Sequence, residues 1–246
     1  MIDLLVFSPH PDDAELGCGG SILRAVEAGL TVDLADMTSG EGATRGGTEE
    51  RQREREAAAR MLGLRERLCL NLPDTRLGAE ASHRLSLISL IRRARPQVVL
   101  APYWEDRHPD HEAAGRLVRE ACFYAGVASV GQGEPFRPGW VYHYMIHRPF
   151  QPSFVMDISP VWKKKIEVLE AYATQFTEAE PAGNPTALSG PAFMRAHQAR
   201  CMHFGAMIGV EYGEPFFSSG PLPLNGFPGV RPSPERDDWL TQYKCY

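Results

Sequence analysis

Short apolar runs alternate with helical patterns along the first half of the chain. The runs "MIDLLVFS", "LTVDLADMTSG" and "PQVVLAPYW" have leucine-rich or β-branched centres and end in polar residues, which is typical of buried strands. Between them lie helical patterns such as "TEERQREREAAARMLGL" and "SHRLSLISLIRRARP". This alternation with short connections predicts an α/β fold with a doubly wound, mostly parallel sheet and helices on both faces.

The same alternation extends toward the end of the chain. Three further segments have the pattern of strands: "ERLCLNL", "WVYHYMIH" and "SFVMDIS". Two have the pattern of helices, the long "VWKKKIEVLEAYATQF" and the last, "GPAFMRAHQARCMHFGAMIG". Late prolines and glycines predict an irregular segment from about residue 213. No repeat or linker divides the chain, so we expect one domain over residues 1–246.

Composition limits the classes of partner. The formal net charge is −5 with acids and bases mixed, which offers no broad basic field for nucleic acid or an acidic membrane surface. Apolar runs fall short of the roughly 18 residues of a membrane span, and the first residues lack a secretory signal. Five scattered cysteines without a CxxC pair favour neither a disulfide framework nor a thiolate zinc site. We therefore expect a cytoplasmic protein that acts on a small molecule.

Two similar tetrapeptides follow two of the predicted strands. His-Pro-Asp-Asp occupies positions 10–13 and His-Pro-Asp-His occupies positions 108–111. A single His-Pro-Asp turn is usually only a turn whose aspartate caps the next helix. Two of them at the carboxyl ends of parallel strands, where such folds bind ligands, favour a shared active site.

The residue types in these turns suit a divalent metal. A catalytic zinc site takes three nitrogen or oxygen ligands from the protein, and His10, Asp13 and His111 supply such a set. The same set also suits Fe²⁺. Asp12 then remains free beside the ion, where it can act as a general base for hydrolysis.

The second turn adds two candidate catalytic residues. His108, placed across the site, would stabilise the negative oxygen that forms on an attacked carbonyl, with Asp110 keeping its imidazole charged. Asp110 also stands where a helix cap is expected, before "HEAAGRLV". Together the two turns predict metal-dependent hydrolysis at a carbonyl group.

The glycines after the first strand suggest an alternative, a nucleotide- or sugar-binding protein without catalysis. Gly17, Gly19 and Gly20 resemble part of a G-x-G-x-x-G fingerprint, but Ile22 stands where its last glycine is required. Two acids also precede the run where a phosphate would bind. We expect instead that these glycines let the first helix pack closely on the sheet.

Other basic residues and histidines carry weaker signals. Arg45 and Arg107 lie in predicted active-edge loops, where either could form a forked contact with a substrate carboxylate. Five histidines without a partner motif are expected to be packed or exposed: His83, His143, His147, His197 and His203.

Five motifs together resemble the zinc-dependent LmbE-like, or PIG-L, N-acetylglucosamine deacetylases, which have a Rossmann-like fold. The resemblance covers residues 1 to about 224 through "PHPDDAELGCGG", "TRGGTEERQRE", "APYWEDRHPDH", "LEAYATQF" and "FGAMIGVEYGEPFFSSGPL". The second and last of these point to the branch that deacetylates N-acetylglucosaminyl malate in bacillithiol synthesis. Chitobiose or a mycothiol precursor is the alternative substrate within the family.

The resemblance implies a role for each matching position. His10, Asp13 and His111 fall on the metal ligands, Asp12 on the general base, and His108 and Asp110 on the residue that stabilises the tetrahedral intermediate and its partner. Arg51 falls on an arginine that binds the sugar. Phe193 stands where some relatives have a tyrosine near the acetyl group, and Tyr212 is no obvious replacement. Trimers or hexamers are also implied.

Overall fold

The computed structural model describes residues 1–176, 184 and 186–222. Its centre is one seven-stranded sheet with the order β3-β2-β1-β4-β5-β7-β6. The strands are β1 Ile2–Ser8, β2 Val32–Asp36, β3 Glu66–Cys69, β4 Pro96–Pro102, β5 Trp140–Tyr144, β6 Phe154–Asp157 and β7 Gly213–Ser218. The first five strands run parallel, whereas β7 is antiparallel to both β5 and β6. The predicted α/β fold with a mostly parallel sheet is confirmed.

The order of the strands places a topological switch between β1 and β4. From β1 the chain moves outward to β2 and β3, then returns to place β4 on the other side of β1. Loops on the two sides of such a switch diverge and leave a crevice at the carboxyl edge of the sheet. The turns at positions 10–13 and 108–111 follow β1 and β4 and therefore flank this crevice.

Helices cover both faces of the sheet. They are α1 Asp13–Glu27, α2 Thr48–Leu62, α3 Ala81–Ala94, α4 Pro109–Ala125, α5 Trp162–Glu170, α6 Ala173–Phe176 and α7 Pro191–Met207, with a 3₁₀ turn at Ser159–Val161. One core contains side chains of α1, α2, α5 and α7, including Ile22 and Leu169. The other lies under α3 and α4 and includes Leu87 and Val118.

Two predictions about the later part of the chain were wrong. The segment from about residue 213 is not irregular at its start, because β7 forms there and its Glu214 and Phe216 are buried. The strand was not predicted because it contains Gly213 and Pro215, which are uncommon inside strands. A proline is nevertheless tolerated in a strand where no neighbouring strand needs its backbone N–H. The predicted long helix is two helices, since Tyr172 between them is buried with its hydroxyl bonded to Glu15. The extreme C-terminal tail lies outside the described residues.

No helix in the described ranges is both long and apolar enough to cross a membrane.

The glycines of α1 serve close packing, as expected. A Cβ built on Gly17 would lie 2.4 Å from Tyr144 Cδ2 and 2.7 Å from the Met145 carbonyl oxygen on β5 and its following loop. A Cβ on Gly20 would lie 2.7 Å from Ile158 Cγ2. The first turns of α1 therefore rest directly on the carboxyl end of the sheet.

Substitution of Gly17 by alanine tests this packing. We expect Gly17→Ala to lower the free energy of unfolding by about 1–3 kcal/mol, because backbone and a buried ring must move. Gly19→Ala is the matched control, since its Cβ would meet nothing closer than 3.8 Å and alanine favours the helix. Urea denaturation of both variants measures the difference, and equal loss of stability would contradict the close-packing account.

Candidate active site

The turn after β1 is held by the chain around it. Ser8 Oγ donates to the His10 carbonyl oxygen (2.6 Å) and accepts from Ala14 N (3.1 Å). Asp12 has a φ of 111°, a backbone conformation that side chains other than glycine rarely adopt. Strain of this kind persists where the surroundings fix it, and it occurs often at functional sites. The turn therefore presents Asp12 and Asp13 in a fixed arrangement.

One carboxylate oxygen joins the two predicted turns. Asp13 Oδ2 lies 3.0 Å from His10 Nδ1 and 3.1 Å from His111 Nε2. Asp13 is the first residue of α1 and His111 lies in the first turn of α4, so two helix starts bring these groups together. The ligand atoms of the three residues all lie within 4.8 Å of one another. The structure thus brings His10, Asp13 and His111 together at the two predicted turns.

A carboxylate that the sequence analysis did not single out orients His111. Asp106 Oδ1 lies 3.1 Å from His111 Nδ1 and accepts from His108 N, while Oδ2 accepts from His147 N at 2.9 Å. A carboxylate on one imidazole nitrogen directs the other nitrogen toward a metal, as in many zinc sites. Asp106 stands two residues before His108 in the loop after β4, and this position is the sequence signal that could have identified it.

Asp13 and the neighbouring carboxylates set the charge of the two imidazoles in this cluster. Burial alone would lower the pKa of His111, but the Asp13 charge and the hydrogen bonds that the imidazole donates to Asp106 and Asp13 raise it to about 9. Burial also opposes protonation of His10, yet bonds to Asp110, Asp13 and Asp74 raise its pKa well above the usual value. The pKa of Asp13 is well below its ordinary range, because the two imidazoles outweigh its burial. Without a cation, protons on the imidazoles balance the carboxylate.

Asp12 lies beside this cluster with a different environment. Its side chain is buried, and its nearest ionic partner is Arg51, with Asp12 Oδ2 3.8 Å from Arg51 Nη2. Burial raises the pKa of Asp12 to about 8, although the charge of Arg51 opposes the shift. Arg51 also donates to the Pro11 carbonyl oxygen at 2.9 Å and is only 3% exposed. The arginine assigned to sugar binding by resemblance therefore contacts the turn that carries Asp12.

His108 and Asp110 are in the site but are not paired as expected. His108 caps α4, and its Nδ1 accepts from the backbone N of Asp110 (3.2 Å). The Asp110 carboxylate instead accepts from Thr75 N and Leu77 N, and lies 3.3 Å from His10 Nε2. Burial, followed by the charges of His111 and His10, lowers the pKa of His108. His108 is thus a neutral imidazole with its proton on Nε2, and Asp110 is a partner of His10.

Asp74 is a second residue that sequence reasoning missed. Its Oδ1 lies 3.2 Å from His10 Nε2, and its Oδ2 accepts from Gly42 N at 2.9 Å. The hydrogen bond with His10 holds the pKa of Asp74 well below the usual range. The loop after β3 lies at the carboxyl edge of the parallel strands, but nothing in its sequence distinguishes Asp74 from an ordinary turn aspartate.

Four of the five histidines without a partner motif are packed or exposed, as predicted. His83, His143 and His197 are buried, and His203 is exposed. His147 differs, because its ring stacks on that of His111 with 5.3 Å between centroids and it shares Asp106 as a neighbour. Burial lowers the pKa of His147 to about 4, so it is neutral.

The remaining candidates lie at different depths. Arg45 is only 3% exposed, and its carbonyl oxygen accepts from Gln175 Nε2. Arg107 is exposed beside His108. Phe193 stacks on Phe176 at 5.9 Å within the first core, and Tyr212 stacks on Trp162 at 4.1 Å. Of the two arginines expected to meet a substrate carboxylate, Arg107 is the accessible one.

The donor set fits a divalent cation. Two imidazole nitrogens and one carboxylate oxygen converge, and each imidazole has a carboxylate on its other nitrogen, Asp106 for His111 and Asp74 with Asp110 for His10. This is the ligand chemistry and outer support of catalytic zinc sites. Fold and site together define an α/β protein with a candidate metal centre at its switch point.

Comparisons with known proteins agree with this class. The family model described as PIG-L: GlcNAc-PI de-N-acetylase matches residues 5–122. The chain is 30% identical to diacetylchitobiose deacetylase of Thermococcus kodakarensis over 71% of this chain and 70% of that protein. The chain belongs to the PIG-L, or LmbE-like, family.

Other relatives carry other names. The crystal structure of the conserved protein TT1542 from Thermus thermophilus is 41% identical with a TM-score of 0.85, covering 94% of this chain and 100% of that one. A 4-oxalmesaconate hydratase of Pseudomonas putida is 28% identical over 70% of this chain and 73% of its own. A probable N-acetyl-α-D-glucosaminyl L-malate deacetylase 2 of Bacillus anthracis is also 28% identical, over 70% of this chain and 81% of its own.

Proton release on metal binding tests the electrostatics of the centre. Imidazoles must be neutral to ligate a metal, whereas the raised pKa values leave His10 and His111 protonated at pH 7 in the metal-free protein. Zn²⁺ binding at pH 7 should therefore release about one to two protons, and the affinity should increase as the pH rises toward 9. Titration calorimetry in buffers of different ionisation enthalpy measures the release. A binding enthalpy that does not depend on the buffer would contradict the assignment.

Proposed function

We propose that the protein hydrolyses the N-acetyl group of an N-acetylglucosaminyl conjugate, releasing acetate and the free amine. N-acetylglucosaminyl L-malate, the substrate of a step in bacillithiol biosynthesis, is the proposed substrate, and the cytoplasm the proposed location. Family membership and the geometry of the two turns support the reaction class. The similarity to the probable malate-conjugate deacetylase supports the choice of substrate.

His10, Asp13 and His111 would hold the cation, and we propose Zn²⁺, with Fe²⁺ as the alternative. When bound, such a cation supplies Lewis-acid polarisation of the amide carbonyl and lowers the pKa of water. Asp106 on His111, and Asp74 with Asp110 on His10, fix the orientation of the imidazoles.

Proton transfer is assigned to Asp12. It lies next to Asp13 in the chain but outside the set of three converging ligand atoms, and this separation is the observation that carries the proposal. In ionised form, Asp12 takes a proton from water as the water oxygen attacks the carbonyl carbon. The same carboxyl then gives that proton to the leaving nitrogen as the C–N bond breaks. A pKa raised by burial suits a group that must both accept and return a proton.

His108 stabilises the negative oxygen that develops during attack. Because its Nδ1 accepts from Asp110 N, the proton lies on Nε2, which is free to donate. A neutral donor fixed at a helix start requires no reorganisation when charge develops. In this role His108 does not need the positive charge that the sequence analysis assigned to it.

Arginines are proposed to bind the substrate outside the acetyl group. Arg51 contacts the turn of Asp12 and would meet the sugar from there. Arg107 is exposed beside His108 and would form a forked contact with a malate carboxylate. Arg45 is retained as a third candidate, and because Arg45 and Arg51 are equally buried, either side chain would have to move to meet the substrate.

Acetate release by the zinc-loaded protein tests the reaction and the roles of the residues. We expect turnover on N-acetylglucosaminyl malate that exceeds turnover on diacetylchitobiose and on the N-acetylglucosaminyl inositol precursor of mycothiol. Asp12→Asn should keep stoichiometric zinc and lose about 10²–10⁴-fold in kcat, because a general base is removed while the ligands remain. Metal analysis and an acetate assay on both proteins give the result.

Different outcomes point to different errors. Faster turnover on another N-acetylglucosaminyl substrate would overturn the choice of malate alone. Hydration of 4-oxalmesaconate without acetate release would overturn the deacetylase assignment in favour of the activity named for one relative. If the protein holds no stoichiometric metal and shows no turnover, a binding protein without catalysis is favoured. Loss of zinc in Asp12→Asn would show that Asp12 is a ligand.

A further inference from the structure

Helix α1 is interrupted directly behind the candidate site. Cys18 has φ −144° and ψ 18°, which lies outside the helical region, so α1 consists of two helical parts. The first part carries Asp13, and Gly17 at its end is pressed against Tyr144 and Met145. The second part follows Cys18, and its Gly20 is packed on Ile158. Packing on both sides of Cys18 thus fixes the interruption.

A buried ion pair between two segments that are distant in the sequence lies at the interruption of α1. Lys165 of α5 and Glu214 of β7 are 0% and 1% exposed, with Lys165 Nζ 2.6 Å from Glu214 Oε1. Lys165 Nζ also donates to the Leu16 carbonyl oxygen at 2.9 Å. Glu214 accepts from Gly20 N at 2.9 Å, from Ser21 N at 2.7 Å and from Ser21 Oγ at 2.6 Å.

These contacts match the backbone groups at the interruption. In a regular α-helix the Gly20 N–H would donate to the Leu16 carbonyl oxygen. Here Lys165 donates to that carbonyl and Glu214 accepts from that N–H. The ion pair therefore supplies a partner to each member of one helical backbone pair, and it joins the two parts of α1 through α5 and β7.

The pair connects to the catalytic turn through one residue. Leu16 N donates to the Asp12 carbonyl oxygen at 2.9 Å, while the Leu16 carbonyl accepts from Lys165. Asp13 N in turn donates to the His10 carbonyl oxygen at 3.3 Å. A shift of Leu16 would therefore move the backbone of Asp12 and the turn that presents Asp13.

We propose that Lys165 and Glu214 are positioning residues for the metal centre, holding the first part of α1 so that Asp13 meets His10 and His111. This inference rests on the proposed function, because it assumes that these three residues hold a cation. It also gives a physical reason for Glu214, the second glutamate of "GVEYGEPF", which the function alone leaves unexplained. A buried ion pair is a poor source of stability, but it satisfies backbone groups that apolar side chains would leave unbonded.

Zinc affinity in variants of the full chain tests this proposal. Lys165→Met leaves the Leu16 carbonyl without its side-chain donor, and Glu214→Gln keeps the shape but replaces one acceptor oxygen with a donor. Both should raise the Kd for Zn²⁺, measured by competition with a chelator, by about tenfold or more, comparable with loss of an outer partner of a ligand.

Arg92→Met is the matched control for loss of a buried charge. Arg92 is 6% exposed and donates to the carbonyl oxygens of Ala125 and Val127. These lie at the C-terminal end of α4, whereas His111 lies in its first turn. Like the two test variants, Arg92→Met is expected to have a lower free energy of unfolding than wild type. Its Kd for Zn²⁺ should stay within about twofold of the wild-type value. Thermal and urea denaturation give the stability of each variant.

The outcomes separate this proposal from the function on which it rests. If the wild-type protein binds no stoichiometric Zn²⁺, the proposed metal centre fails. If wild type binds Zn²⁺ and a folded Lys165→Met or Glu214→Gln variant has an unchanged Kd, the positioning role is overturned. If Lys165→Met does not fold, the isosteric Glu214→Gln variant decides. A Kd raised equally by Arg92→Met would reduce the effect to general destabilisation and also overturn the proposal.

Discussion

The structure depends on one carboxylate oxygen, Asp13 Oδ2, placed between two imidazoles. It lies within 3.1 Å of a nitrogen of both His10 and His111, and so joins the loop after β1 to the helix after β4. A buried carboxylate is costly unless positive charge compensates it. In the metal-free protein the protonated imidazoles provide that charge, and a cation bound by the same atoms would replace the protons. The site is therefore electrostatically prepared for a divalent ion.

The fold brings these groups together and keeps Asp12 apart from them. The switch between β1 and β4 opens the crevice, and Gly17 allows the start of α1 to rest on β5. The left-handed conformation of Asp12 directs successive carboxylates differently, so that Asp13 faces the imidazoles and Asp12 approaches Arg51. Two adjacent aspartates thereby acquire opposite pKa shifts, and that difference is the physical basis of the proposed division into ligand and base.

Local sequence patterns predicted much of the fold and the centre of the site. The apolar runs locate β1, β2 and β4, and the repeated His-Pro-Asp turns after β1 and β4 locate the converging residues. Strand β7 was missed because Gly213 and Pro215 resemble breakers, and only its place between β5 and β6 makes it a strand. Tertiary context overrode local propensity there.

The contacts around the site that the sequence did not predict were missed for a common reason. Asp74 meets His10 across 64 positions, and Lys165 meets Glu214 across 49, so no local spacing records either contact. The Asp110 carboxylate accepts from Thr75 N and Leu77 N in the loop after β3 and lies beside His10. These contacts replace the expected pairing of this carboxylate with the His108 imidazole. Residues that contact the proposed ligands from outside come from several loops, whereas the proposed ligands themselves lie in two short motifs.

The position of the bound metal tests the central claim most directly. His10 has carboxylates on both sides, and His10, His108 and Asp110 form a second convergent group. We predict that anomalous diffraction at the zinc edge from crystals of the zinc-loaded protein gives a single peak bonded to His10, Asp13 and His111. The distances should be about 2.0–2.2 Å, with Asp12 outside the coordination sphere. A peak between His108 and Asp110, or one bonded to Asp12, would contradict the account.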